Sequence, residues 1–285
     1  MENDGAIVCW NRILTPKWVR FRHLLSGNGK IYSDLALPRL EARAGDRVLD
    51  VGCGFGETSL EFGRIVGPDG EVLGLDCTET FVRVAEREEY EANLPQVRYL
   101  VGDAQTEPLP DAHYDLAFSR FGVMFFDSAV RALRNVRRAL KPRASLCLIV
   151  WRGLRDNPAW GLAKEVALEF LPPPGVPAAT CGPGPFSWAD EETDRAMLAS
   201  AGFGEVTEFE RVDADICVGR TIDEAIDYQL QVGPAGEIVR EAGAEGQRLL
   251  PAIRERLAAR LVAYRRDDGV FLPSSTWRII AVNAA

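Results

Sequence analysis

A glycine-rich turn is the first feature of the sequence that predicts chemistry. Gly52, Gly54 and Gly56 lie in the segment VLDVGCGFGETS, between an apolar run and a helical pattern. Glycines at such a turn let the backbone come close to a ligand. The helix that begins directly after it offers free N–H groups and the positive end of its dipole. The turn therefore predicts a site for a nucleotide-like ligand.

Acidic residues indicate which ligand this is. A dinucleotide-binding turn needs Gly or Ala where this chain has Glu57, and a carboxylate there would repel a pyrophosphate. Asp50, Asp76 and Asp103 would instead suit a ligand with positive charge. S-adenosylmethionine has a sulfonium and an ammonium against one carboxylate, and its ribose diol and adenine amino group are donors. Asp76 lies about where an acid would reach a ribose.

Five apolar runs alternate with helical patterns between Asp46 and Trp151. Because such runs are apolar on both faces, they predict a parallel sheet covered on both sides by helices, with right-handed crossovers. We expect the helix that follows the fourth run to stop at Pro142. The runs are Arg47–Val51, Glu71–Leu75, Val97–Val101, Tyr114–Ser119 and Ser145–Trp151.

Two flanking regions are expected to cover this core. Residues 1–43 form an N-terminal extension, which we interpret as a helical lid over the core of residues 44–152. Residues 153–285 complete the sheet and add helical cap insertions at about 153–189 and 220–266. Within them we expect a loop over 172–185, a helix over 190–201 and a strand over 206–218. A closing strand over 270–282 is expected to be broken by Pro273.

The joint pattern resembles class I S-adenosylmethionine-dependent methyltransferases, in the branch related to ubiquinone/menaquinone biosynthesis. The resemblance covers residues 44–152 and implies a Rossmann-like, doubly wound α/β sheet of seven strands. The last strand would be antiparallel and inserted next to the fifth. The motifs that carry the resemblance are Val48–Gly56, Leu75-Asp76, Gly102-Asp103-Ala104, Ser119–Phe126, Leu140–Pro142 and a strand that ends in IVW.

The resemblance also implies a role for each cofactor-binding residue. The three glycines would line the methionine part, and Thr58 would donate to its carboxylate. Asp76 would hold the ribose, with Cys77 beside the adenine. Asp103 and the Ala104 N–H would bind the adenine, while the Ser119 carbonyl would accept from the ammonium beside Arg120. The predicted cofactor site comprises Asp50, Gly52, Gly54, Gly56, Thr58, Asp76, Cys77, Asp103, Ala104, Ser119 and Arg120.

Each of these residues has a structural alternative. Asp50 could cap backbone N–H groups of the turn, and Thr58 could be an ordinary first-turn residue. Cys77 could be a small filler, and Arg120 an ion-pair partner. The substrate candidates are Trp18, His23, Phe121 and Trp160, of which the two tryptophans could be packing residues.

No catalytic residue is nominated, and no metal is expected. His23 is the only imidazole considered as a base, since His113 lies in a turn before the fourth strand. A base is not mandatory, because the sulfonium is an activated donor and alignment can supply roughly 7–11 kcal/mol.

Composition limits the class of protein. Apolar residues make up 47% of the 285 residues and charged residues 26%, as in ordinary globular proteins. The net charge of −9 argues against nucleic acid as a partner. No apolar run approaches the ~20 residues of a membrane span. The six cysteines form no CxxC pair, so we expect reduced thiols in a cytoplasmic protein.

We therefore predict methyl transfer from S-adenosylmethionine, with S-adenosylhomocysteine as product. The acceptor would be an O, N or C nucleophile of a small, apolar or aromatic molecule. Two alternatives stay open: a protein that binds the cofactor without methyl transfer, as a regulator or partner subunit, and a nicotinamide-dependent oxidoreductase. A homodimer is compatible with the sequence.

Overall fold

A single mixed sheet organises the computed structural model, which describes residues 4–173 and 183–284. Its strand order is β3-β2-β1-β4-β5-β8-β6, and the two-residue β7 pairs with β8. The strands are β1 (Arg47–Val51), β2 (Glu71–Asp76), β3 (Val97–Val101), β4 (Tyr114–Arg120), β5 (Leu140–Trp151), β6 (Phe203–Gly219), β7 (Arg265–Arg266) and β8 (Gly269–Asn283).

The order of the strands fixes where a ligand can bind. Strands β1 to β5 are parallel, and β8 runs antiparallel between β5 and β6. The chain builds outward from β1 through β2 to β3, then returns to place β4 on the other side of β1. In such sheets a crevice opens at the carboxyl ends of the two strands where the direction reverses. Here that point lies beyond Val51 of β1 and Arg120 of β4.

Helices fill the connections and both flanks. They are α1 (Asp4–Cys9), α2 (Thr15–Arg20), α3 (Arg22–Ala36), α4 (Glu57–Val66), α5 (Glu79–Ala92), α6 (Ala129–Ala139), α7 (Pro158–Phe170), α8 (Glu191–Ala201), α9 (Ile222–Gln231), α10 (Ala235–Glu241) and α11 (Gly243–Leu261). A π-helical turn, Trp10–Leu14, connects α1 to α2.

The predicted α/β class and the position of the antiparallel last strand are confirmed. The Rossmann-like sheet has the seven expected strands, and the short β7 is an addition to them. The helix expected over 190–201 is present as α8, and Asp190 caps it by accepting from the Thr193 N–H. Thr221 caps α9 in the same way by accepting from the Glu224 N–H.

One of the two expectations about proline is wrong. Helix α6 ends at Ala139, shortly before Pro142, as expected, and β5 begins at Leu140, which pairs with Tyr114 of β4. Strand β8 is continuous through Pro273, which lies opposite Asp215 of β6. Pairing with β5 begins only at Thr276. Pro273 therefore lies where one edge of the strand is unpaired, and a missing N–H is tolerated there.

The N-terminal extension contributes to the core. Phe21, Leu24 and Tyr32 are each at most 3% exposed. Removing the extension as a block would therefore expose apolar surface of the sheet domain. The predicted loop over 172–185 lies largely outside the described residues.

Two further properties concern the cysteines and the helices. Cys9 is disulfide-bonded, so the expectation of reduced thiols is wrong at this position. Cys53, Cys77, Cys147 and Cys217 are free.

Within the described ranges, none of the helices is both long and apolar enough to cross a membrane.

Candidate functional site

The glycine-rich turn lies in the crevice that the strand order predicts. Gly52 has a φ of +70° and packs so closely against the β4 loop that a Cβ there would lie 2.8 Å from the Gly122 Cα. Gly54 has a φ of +56°, and a Cβ there would meet no atom within 4 Å. The turn thus closes on the protein at Gly52 and leaves open space at Gly54.

Asp50 fastens the first turn of α4 to β1. Its Oδ2 accepts hydrogen bonds of 2.6 Å from both the Thr58 and the Ser59 hydroxyl. The carboxylate is 1% exposed, and burial raises the pKa of Asp50 to about 6 against the opposing hydrogen bonds. Its Oδ1 has no hydrogen-bond partner among the described residues. Oδ2 therefore fastens the helix through two side-chain hydroxyls, and not through the backbone N–H groups that the structural alternative expected, while Oδ1 is available as an acceptor.

Asp76 connects the end of β2 to the turn. Its Oδ2 accepts from the Gly54 N–H at 2.9 Å and its Oδ1 from the Thr78 N–H at 2.8 Å. Burial raises the pKa of Asp76, while these two N–H groups oppose the rise. Each carboxylate oxygen keeps a lone pair for a further donor, as binding of a diol requires. Cys77, the next residue, is half-buried.

The loop after β3 presents a second acid. Asp103 is half-buried and accepts from the backbone N–H of Gln105 at 3.0 Å. The Gln105 side chain in turn accepts from the Ser128 N–H at 2.7 Å, and Asn135 donates to the buried Ala104 carbonyl. These contacts fix the loop, so that Asp103 and Ala104 keep a defined position beside Asp76.

Arg120 and Glu57 are held together beneath helix α3. The Arg120 guanidinium lies 3.5 Å from the Glu57 carboxylate and donates to the Ser33 hydroxyl at 2.7 Å. Ser26 of α3 donates to Glu57 at 2.5 Å. The charge of Glu57 is therefore compensated within the protein. The buried Ser119 hydroxyl has no partner in the described part of the chain.

A first group of aromatic rings covers the Asp76 side of the crevice. Trp10 packs edge-on against Phe81 of α5 at 6.5 Å and against Phe125 at 4.8 Å. Trp18 packs on Trp10 at 5.3 Å. Beside them, the Asn11 side chain donates to the Cys77 carbonyl at 3.2 Å. The N-terminal segment thus reaches the residues predicted to bind the adenosine.

A second group, which we call the aromatic row, leads away from Arg120. Phe121 stacks on Trp151 with ring centroids 4.3 Å apart, and Tyr32 meets both rings edge-on. Trp151 contacts Trp160 of α7 at 5.6 Å, and Trp160 contacts Tyr228 of α9 at 5.7 Å. The row therefore runs from the end of β4 to the helical cap.

The four substrate candidates fall into three places. Phe121 and Trp160 belong to the aromatic row, and Trp18 belongs to the first group of aromatic rings, around Trp10. His23 instead forms an exposed contact of 2.8 Å with Glu224 of α9. The imidazole thus joins α3 to the cap at the surface.

Sequence reasoning missed the residues of α3 and α9 that complete the site. Ser26, Gly29 and Ser33 lie against Glu57 and Arg120, and Tyr228 ends the aromatic row. One signal was available: small residues at 26, 29 and 33 form a face at helical spacing.

Comparison with known proteins decides the family. A methyltransferase-domain family model matches residues 48–143. The chain is 30% identical over 203 residues to the ubiquinone/menaquinone biosynthesis C-methyltransferase of Azotobacter vinelandii. The aligned region covers 67% of this chain and 73% of that protein. The chain belongs to the S-adenosylmethionine-dependent methyltransferases. The Pseudomonas putida protein of the same name is 26% identical over 207 residues, covering 70% of this chain and 81% of that one.

Solved structures agree with the methyltransferase fold. The YcgJ protein from Bacillus subtilis has a TM-score of 0.55 and 19% identity, covering 88% of this chain and 97% of that chain. The [4+2]-cyclase SpnF has a TM-score of 0.52 and 22% identity, and the match covers 89% of this chain and 80% of that chain.

The cofactor of this methyltransferase is S-adenosylmethionine, and the crevice fits it. Gly54 faces open space, so the backbone offers room for a ligand. The unpartnered Asp50 Oδ1 is an acceptor, as a cationic ligand requires, and the unpartnered Ser119 hydroxyl can accept or donate.

Proposed function

We propose that this methyltransferase transfers a methyl group to an O, N or C nucleophile of a small, apolar or aromatic molecule. The aromatic row is the observation that carries the proposal. It starts at Phe121, directly after Arg120, and continues between α3, α7 and α9. A flat apolar acceptor would bind there with its reacting atom toward the glycine-rich turn.

The proposed cofactor contacts follow the crevice. The turn would bind the methionine part, with the Ser119 carbonyl and Arg120 next to it. Asp76 would accept from the ribose hydroxyls through its free lone pairs. Cys77, Asp103 and Ala104 would surround the adenine. Thr58 would act indirectly, since its hydrogen bond to Asp50 fixes the helix that begins at the turn, while Asp50 would also offer its unpartnered Oδ1 to the cationic part of the cofactor.

When bound, the cofactor supplies a methyl group already activated by the sulfonium. The protein then has to align the acceptor and exclude water, and proximity alone can account for roughly 7–11 kcal/mol of the barrier. We therefore assign no general base. His23 is unsuited to that role, because its ring faces Glu224 at the surface.

The N-terminal region of residues 1–43 is proposed as the lid of this site. Three hydrogen bonds support this: Asn11 to the Cys77 carbonyl, Ser26 to Glu57, and Arg120 to Ser33. The lid thus contacts the crevice at the Cys77 side, at the turn and at the end of β4. Lids of this kind sequester a reaction from water.

Calorimetry and turnover together test the proposed function. We expect S-adenosylhomocysteine to bind and NAD not to bind. With labelled S-adenosylmethionine, a panel of hydroxylated and amino-substituted aromatic compounds should yield methylated product. The relatives' name suggests quinol-type rings as the first acceptors to include. Tight cofactor binding without turnover on any acceptor would favour a binding protein that transfers no methyl group.

A small molecule, rather than nucleic acid, is the partner we propose. The net charge of −9 would repel phosphates over much of the surface. The cytoplasmic location and a homodimer remain predictions.

A further inference from the structure

Two polar atoms at the far end of the aromatic row are buried without a hydrogen-bond partner among the described residues. They are Nε1 of Trp160 and the hydroxyl of Tyr228. Tyr228 is 0% exposed, and its ring centroid lies 5.7 Å from that of Trp160. Buried polar groups are usually satisfied, because leaving one unpaired is costly. Two such groups on rings that contact each other therefore suggest a ligand that satisfies both.

The polar side chain beside the Tyr228 hydroxyl also bonds the backbone of β6. Asn28 lies beside the Tyr228 hydroxyl. Its side chain donates to the Cys217 carbonyl at 2.8 Å and accepts from the Cys217 N–H at 2.9 Å. Burial raises the pKa of Tyr228 well above its ordinary value, so the phenol keeps its proton. Asn28 Oδ1 keeps one lone pair, so the phenol can donate either to Asn28 or to a ligand, whereas the Trp160 N–H has no partner among the described residues.

The row connects these donors to the proposed transfer site. Phe121 has a φ of +61°, which is uncommon for a residue other than glycine. Its ring lies parallel to that of Trp151, within 8°. Strained backbone of this kind occurs at functional sites where the surroundings hold it in place. A molecule bound along the row would therefore have one end near Arg120 and the other near the donors.

We propose that Trp160 Nε1–H and the Tyr228 hydroxyl form the polar end of the acceptor site and hydrogen-bond an oxygen of a flat aromatic acceptor. An indole N–H only donates, so the ligand must present an acceptor such as a phenol or ring-carbonyl oxygen. This inference rests on the proposed function, and it names the group by which the acceptor is recognised. The pair fixes the acceptor's orientation and excludes the corresponding hydrocarbon.

Two probes of similar size test the pair: 1-naphthol and 1-methylnaphthalene, titrated into the full chain with and without saturating S-adenosylhomocysteine. We expect 1-naphthol to bind about tenfold more tightly than 1-methylnaphthalene. Trp160→Phe and Tyr228→Phe should each remove most of this preference, while the affinity for 1-methylnaphthalene and for S-adenosylhomocysteine stays unchanged.

Two control variants remove an indole N–H and a phenol hydroxyl at positions outside the aromatic row. Trp277→Phe deletes an indole N–H that donates to Ala189, and Tyr114→Phe deletes a phenol at the opposite end of β4. Both should keep the preference for 1-naphthol.

The outcomes separate the two proposals. Equal binding of the two probes, or no binding of either, overturns the subsite. An unchanged preference for 1-naphthol in both Phe variants also overturns the subsite. An equal loss of affinity for both probes in these variants overturns it as well, because it would indicate that the two side chains only pack. Failure of S-adenosylhomocysteine to bind the wild-type chain overturns the proposed function instead, whatever the naphthol titrations show.

Discussion

Gly29 of α3 lies directly against the guanidinium of Arg120. A Cβ at Gly29 would lie 2.7 Å from the Arg120 Cζ, closer than packed atoms allow. The absence of a side chain at this position therefore lets α3 reach the residue at the end of β4. Ser33, one turn further along the helix, receives the hydrogen bond from the same guanidinium.

Gly29→Ala should uncouple α3, part of the proposed lid, from Arg120. The methyl group would push the guanidinium away from Ser33 and Glu57, both of which hold it now. We expect the chain to fold, with a loss of stability of about 1–3 kcal/mol from overpacking. Affinity for S-adenosylhomocysteine, measured by calorimetry, should fall as well.

Gly27→Ala is the matched control in the same helix. Gly27 is exposed, and a Cβ there meets nothing within 4 Å. Replacing glycine by alanine in a helix should stabilise the chain by up to about 1 kcal/mol. If both variants gave the same melting temperature and affinity, the contact between Gly29 and Arg120 would be unimportant.

Asp76→Ala tests the predicted ribose contact. Loss of charge-assisted hydrogen bonds should cost on the order of 1.5–3 kcal/mol of S-adenosylhomocysteine binding, or roughly ten- to a hundredfold in Kd. Stability should also fall, because the Gly54 and Thr78 N–H groups lose their acceptor. Asp69→Ala, in an exposed turn before β2, is the control. A Kd equal to that of the wild type would place the ribose elsewhere.

The strands could be predicted because their local pattern matches their burial. Val48 to Val51 are all buried, as expected for a central parallel strand. The prediction at Pro273 failed because pairing with a distant strand decides the outcome there. Pro273 is accommodated by β6, which lies about 60 residues earlier in the chain, and no local rule includes that partner.

The part of the candidate site whose residues follow consecutive strands of the sheet could be predicted from the sequence. Asp76 and Asp103 end successive strands, so their neighbourhood follows from the topology. The contact of Ser26 with Glu57 and that of Trp160 with Tyr228 depend on how separate helices pack on the sheet. The spacing of residues within either helix does not determine such contacts.

Trp10→Ala should weaken cofactor binding without unfolding the chain. Trp10 is half-buried and packs on Phe81 and Phe125, beside the Cys77 carbonyl that accepts from Asn11. Losing these contacts should free the segment that covers the Asp76 side of the crevice, where we propose that the adenosine binds. We expect S-adenosylhomocysteine to slow hydrogen exchange over residues 10–20 in the wild type, and to have a smaller effect in the variant. Exchange that is indifferent to ligand in both proteins would mean that the segment only packs.

The buried carboxylate of Asp194 should make the free energy of unfolding depend on pH, independently of methyl transfer. It is 0% exposed in α8, and neither carboxylate oxygen has a partner in the described ranges. Burial, with Asp190 and Glu191 nearby, raises the pKa of Asp194 to about 8. The unfolded chain releases this proton near pH 4, whereas the folded chain keeps it to about pH 8. Between these values the folded state binds the extra proton, so its stability falls as pH rises.

Asp194→Asn should remove this loss, because the amide does not titrate. The variant and the wild type should melt at similar temperatures at pH 4. At pH 7.5 the variant should be more stable by about 1–3 kcal/mol, the order of magnitude for a buried group without partners. Glu192→Gln, an exposed change on the same helix, should show no such growing difference. A constant offset between Asp194→Asn and wild type from pH 4 to pH 7.5 would show that Asp194 ionises normally in the folded protein.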